Sequence, residues 1–189
     1  MIVVKKVTHG LLLVAAIFSI VSCQAWKYYE ASEVIPHKNE FEVLVPAGWV
    51  QYLAEKNRGV VITKDGPSLQ LIRARSATFD EAVQNIDFEL NEDILPSDLA
   101  RFYEAKFKSD NTLFSIEKSS NQIRVIDGRD GFEIELDYKN ERGLRYRTVV
   151  SGFVDDENFY EISYTAPILY QFDLNIATYN DFVDSFSKI

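Results

Sequence analysis

A single cysteine, Cys23, stands behind an apolar run at residues 11–21 and the small residue Ser22, with Lys5 and Lys6 ahead of the run. One thiol closes no disulfide within the chain, so any fold it adopts must be held by packing and hydrogen bonds alone. The chain has the material for this. Its 189 residues are 47% hydrophobic and 13% aromatic, which suits one domain with a full core.

The segment ahead of Cys23 reads as an address. Lys5 and Lys6 form a basic n-region and residues 11–21 an h-region. The tetrad Ile20-Val21-Ser22-Cys23 resembles the bacterial lipobox, where signal peptidase II cuts before an acylated cysteine. The run falls short of the roughly 18 apolar residues that a membrane span needs. It is also bounded by Thr8-His9-Gly10 and by Gln24 and Lys27. The expectation is a lipoprotein signal peptide over residues 1–22 and a palmitate-type lipid anchor at Cys23. Acyl burial stabilises by about 0.8 kcal/mol per methylene, so one chain holds marginally and several hold durably. By the lipoprotein sorting pattern, Gln24 in place of aspartate after the cysteine implies the periplasmic face of the outer membrane in a diderm host.

Cleavage before Cys23 removes Lys5 and Lys6 and no acid, taking the formal charge from −9 to −11. So acidic a chain excludes nucleic acid as a natural partner.

Residues 23–40 mix polar and aromatic side chains with Pro36 and hold no period, which reads as a tether. Within it Trp26, Tyr28 and Tyr29 have two open readings: rings at the headgroup level beside the anchor, or rings folded back on the domain. The domain is expected over 41–189. Alternation predicts strands over 41–45, 60–63 and 69–73, with a hairpin turn at Lys64-Asp65-Gly66-Pro67.

Thr78 and Glu81 then form a capping box ahead of an apolar stripe, Phe79, Ala82, Val83, Ile86 and Leu90, which predicts a helix. Pro96 opens a second, with Leu99, Phe102, Tyr103 and Phe107 at helical spacing. Strands return over 113–117, 123–126, 132–138, 145–153 and 159–164, separated by turns at 119–122, 127–131, 140–143 and 155–158. After Pro167 a last helix carries Phe172, Ile176, Tyr179, Val183 and Phe186 on one face. Strands segregated from helices give an α+β domain, an antiparallel β-sheet flanked by helices.

Three stretches carry a resemblance: Phe41 through Val45 with Pro46-Ala47-Gly48-Trp49, Gly131 through Tyr138, and Phe159 through Pro167 with Phe182-Val183-Asp184-Ser185-Phe186. In this order they resemble the PsbP-like (PsbP/Mog/DcrB) family. The resemblance implies an α/β/α sandwich and a non-enzymatic binding or assembly role, and it transfers no site residue.

The residues agree with that implication. His9 lies in the signal segment, leaving His37 as the one histidine of the mature chain, so no Ser-His-Asp arrangement is available. No cysteine remains for nucleophilic attack and no glycine-rich phosphate loop follows a strand, so neither enzyme chemistry nor a cofactor is expected. Asp155, Asp156 and Glu157 are the densest acid cluster, able as hard oxygens to take calcium or manganese or to form a solvated hairpin tip. Arg142, Arg145 and Arg147, with Arg124 nearby, make a basic stripe on an acidic protein. They either pair across strands with Glu133, Glu135 or Asp137, or dock an acidic partner or a lipid headgroup.

The expectation is a lipid-anchored, non-catalytic envelope module contacting the membrane through its lipid and an envelope protein through its sheet face or hairpin loops. The alternative is a small-molecule binder or enzyme with an apolar pocket lined by Trp49, Phe102 and Tyr138.

Overall fold

The computed structural model describes residues 25–110 and 112–189; the expected signal peptide and the lipidation site Cys23 lie outside the described residues. Eight strands form the large antiparallel sheet, in the order β1 (Trp26–Tyr28), β4 (Val50–Tyr52), β5 (Val60–Thr63), β6 (Leu71–Thr78), β10 (Asn158–Pro167), β9 (Arg145–Asp155), β8 (Arg129–Lys139) and β7 (Phe114–Ile126). A three-stranded sheet, β11 (Ser187–Lys188), β3 (Phe41–Val45) and β2 (Glu33–His37), covers one face together with helix α3 (Gln171–Asp184). The other face is covered by the single turn α1 (Phe79–Ala82), the segment after it and helix α2 (Pro96–Lys108).

Two cores follow from the two-residue strand period. In β10, Tyr160, Ile162, Tyr164 and Ala166 enter the core under α3, while Phe159 enters the one under α2. Phe102, Phe132, Phe153 and Phe159 are each almost fully buried. Burying a phenylalanine is worth about 1.5–3 kcal/mol, so these rings offset the missing disulfides. Gly152 sits beneath the parallel rings of Phe132 and Phe159, whose centroids are 6.4 Å apart. A Cβ there would stand 2.6 Å from the carbonyl oxygen of Tyr160.

The expected α+β class is the observed one, with an antiparallel sheet between helices. Three local expectations are corrected. The stretch read as a tether is part of the fold: β1 pairs with β4 and β2 with β3. Tyr29 is buried and donates to Gln51 Oε1 at 2.7 Å, while Trp26 lies on Tyr52 with ring centroids 4.5 Å apart. These strands are short and their partners lie 4–26 positions away, so no local period marks them.

The helix after Thr78 is one turn long. Its capping box is intact, Glu81 N–H donating to Thr78 Oγ1 and Thr78 N–H to Glu81 Oε2. Asn85, at φ 68°, then takes the left-handed conformation that a helix interior does not allow. Ala82 and Leu90 still reach the core. Finally, residues 119–122 are not a turn. β7 is one strand with register shifts between Phe114 and Glu117 and between Lys118 and Ser120, so the polar run marks a bulge.

The antiparallel order sorts the connections. Residues 64–70, 140–144 and 168–170 gather at one end of the large sheet, and residues 53–59 and the β9–β10 turn at the other.

Candidate functional site

The first of these ends carries an open groove of about 1030 Å³. Its floor is the ring pair Tyr138 and Tyr146, centroids 5.7 Å apart and 19° from parallel, continued by Pro167 and Ile168. Phe107 of α2 meets Tyr138 edge-on at 5.3 Å. Burial pushes the Tyr138 phenol up to about 12, so it stays a neutral donor at physiological pH.

Each wall is a turn fixed by side-chain hydrogen bonds. Asn140 Oδ1 accepts the N–H groups of Arg142 and Leu144, each at 3.0 Å, and Gly143 supplies the left-handed residue at φ 75°. In the opposite wall Thr63 Oγ1 donates to the Gln70 carbonyl at 2.7 Å, and Asn175 of α3 donates to Gln70 Oε1 at 2.5 Å. Ile168 N–H donates to the Arg145 carbonyl at 3.2 Å, joining the connection into α3 to the start of β9.

Apolar side chains crown these walls in the open. Leu169 is 96% exposed, and Leu69, Leu144 and Tyr170 are exposed beside it. Single exposed leucines are ordinary, but a contiguous apolar group around a concave surface marks an interaction site.

The arginine stripe divides. Arg142 and Arg145 line the groove, are exposed, and form no salt bridge among the described residues; Glu141 is the acid that lines it with them. Arg147 turns to the α3 face. Its Nε and Nη2 donate to the two oxygens of Asp137 at 2.6 and 2.9 Å, and its guanidinium lies 5.4 Å from the Phe172 ring. The Asp137 hydrogen bond holds its pKa above the ordinary arginine value. Arg124 likewise pairs with Glu133 and, at 2.9 Å, with Asp184. Cross-strand pairing accounts for these two, and the groove for the others.

The acid cluster does not gather for a metal. Lys188 Nζ donates to Asp155 Oδ2 at 2.6 Å and also to Asp156, while Arg129 Nη2 is 2.8 Å from Asp155. Asp156 and Glu157 both have positive φ, the signature of a tight two-residue hairpin. Asp155 and Asp156 therefore dock the C-terminal strand. Among the described residues, no three His, Cys, Asp or Glu side chains are grouped to hold a metal ion.

The alternative pocket is also corrected. Trp49 belongs to the core under α3, Phe102 to the core on the opposite face, and Tyr138 to the groove, so the three rings line no common cavity. One buried polar group escaped the sequence reading. Glu161, 3% exposed, receives Arg75 Nη2 at 2.7 Å and the Tyr103 hydroxyl at 3.2 Å. Its partners lie 86 and 58 positions away, and within its strand it looks like an ordinary solvent-facing acid.

Neither a family model nor a curated protein matches the chain. Solved structures do. Cyanobacterial PsbP (CyanoP) from Synechocystis sp. PCC 6803 superposes with a TM-score of 0.56 at 14% identity, over 89% of this chain and 95% of that one. LpqN of Mycobacterium tuberculosis, described as involved in cell envelope biogenesis, gives 0.57 at 13% identity over 91% and 96%. The Ran-binding protein Mog1p of Saccharomyces cerevisiae gives 0.53 at 12% identity over 84% and 95%. The fold is therefore PsbP/Mog-like, as the three sequence stretches implied. No helix of the described residues is long and apolar enough to cross a membrane.

Proposed function

We propose that this chain is a lipid-anchored lipoprotein of the cell envelope that binds a protein partner in the groove at residues 138–146 and performs no covalent chemistry on it. The observation that carries the reading is the concave surface where exposed Leu144 and Leu169 stand beside Arg142 and Arg145, two arginines without an ion pair among the described residues of a strongly acidic chain. Such a surface supplies apolar area for affinity and unpaired guanidinium groups for orientation.

The lipobox-like tetrad ending at Cys23 supports the anchor. The fold neighbours support the class: one is a Ran-binding protein and another is involved in cell envelope biogenesis. In a diderm host Gln24 directs the protein to the outer membrane.

Two measurements test this. Cys23→Ala moves the protein from the membrane fraction to the soluble one, and a variant that stays detergent-dependent contradicts the anchor. A photoreactive residue at Leu144 yields a discrete protein adduct in the host, while one at exposed Asp80 of α1 does not; equal yields from both contradict the groove.

A further inference from the structure

The fold is pinned almost to the expected anchor. The carbonyl of Ala25 accepts the N–H of Leu53 at 2.8 Å, and Trp26 is already in register with Tyr52. Cys23 stands two residues before Ala25, and two extended residues reach about 7 Å. Acyl chains on Cys23 therefore have no tether to hang from. The bilayer that takes them must lie against whatever surrounds Ala25.

What surrounds it fits a bilayer surface. β1 runs toward the groove end of the sheet, so the chain before Trp26 leaves in the opposite direction, beside residues 53–58. Trp26 is 43% exposed and Tyr28 61%, the ring types that favour the membrane–water boundary. Lys56 is exposed and forms no salt bridge among the described residues, and Arg58, 83% exposed, is held only loosely by Glu55 at 3.7 Å, so both cations can reach headgroup phosphates. Lys27 is already committed to Glu33 at 2.9 Å.

We propose that the turn at residues 53–58, with Trp26 and Tyr28, is a membrane-contact face that seats the domain directly on the headgroup layer and turns the groove away from that bilayer. The proposal rests on lipidation at Cys23. It assigns the groove to a partner that approaches from the aqueous side, since the bilayer is occupied by the opposite end of the sheet.

The test uses the acylated full chain in vesicles of phosphatidylethanolamine and phosphatidylglycerol containing a lipid with a nitroxide on its headgroup. A fluorophore is placed at Asn57→Cys or at Leu144→Cys, Asn57 being exposed in the same turn. The label at position 57 is expected to lose more than half its emission, and the label at 144 to keep nearly all of it. Equal quenching, stronger quenching at 144, or no quenching at either site on protein that floats with the vesicles overturns the contact face and leaves the anchor standing. Wild-type protein that fails to float overturns the anchor, and this proposal with it.

Discussion

The hydroxyl of Tyr146 donates to the backbone carbonyl of Ser68 at 3.1 Å, tying the start of β9 to a turn 78 residues away in sequence. This bond ties the groove floor to one of its walls, and the ring that makes it is half of that floor. Tyr146→Phe keeps the floor and cuts the tie. A net hydrogen bond is worth about 0.5–1.5 kcal/mol, so urea denaturation is expected to show a loss in that range. Amide exchange should quicken at Leu69 and Gln70 and stay unchanged across α2.

The four arginines of the stripe are predicted to behave as two classes. Arg142→Glu and Arg145→Glu leave stability within about 0.5 kcal/mol of wild type, because neither side chain has an ion pair to lose among the described residues. Arg147→Ala and Arg124→Ala are destabilising, because they abandon Asp137 and Glu133 on the sheet. Urea midpoints of the four variants check this, and a large loss from Arg142→Glu would contradict the assignment.

Gly152→Ala places a methyl group against the Tyr160 carbonyl and between two phenylalanine rings. Overpacking of this kind costs about 1–3 kcal/mol. Thermal unfolding should show a lower midpoint, whereas Gly143→Ala, whose added methyl meets nothing within 4 Å, is disfavoured only by its φ of 75°.

His37 gives the fold an acid-sensitive element. It is 4% exposed, and burial lowers its pKa below the ordinary 6.5. The unfolded chain then binds a proton before the folded one does, so stability falls as pH drops below 6.5 and levels off beneath the folded value. His37→Gln should remove that part of the acid dependence. Lys188 works at the other extreme: its hydrogen bonds to Asp155 and Asp156 raise it from 10.5 to about 12. Its contribution is full below 10.5 and is lost as pH rises through about 12. Urea midpoints measured across pH for wild type, His37→Gln and Lys188→Met read both effects.

Where one residue's chemistry speaks locally, the sequence was readable. Thr78 and Glu81 announced a cap, Pro96 a helix start, and Asn140 to Gly143 a turn, because each acts within four positions. Trp26, Ile35 and Gln51 were not readable, since their strands are held by partners in separate segments. The groove falls between these cases. Arg142 and Arg145 were visible as charges, but Ser68 and Leu169 join them only through the antiparallel order that brings three turns to one end. The division between Arg145 and Arg147 depends on where the strand meets α3, which no pattern of charges discloses.

The identity of what touches the groove is the decisive question. A photoreactive residue at Leu169, read in the host in wild type and in the Arg142→Glu/Arg145→Glu double variant, decides it. The prediction is one discrete protein adduct in wild type, the same as that formed from Leu144, and its loss in the folded, membrane-bound double variant. An adduct that survives both charge reversals, or lipid adducts alone at Leu169, would contradict a groove that binds a protein through Arg142 and Arg145.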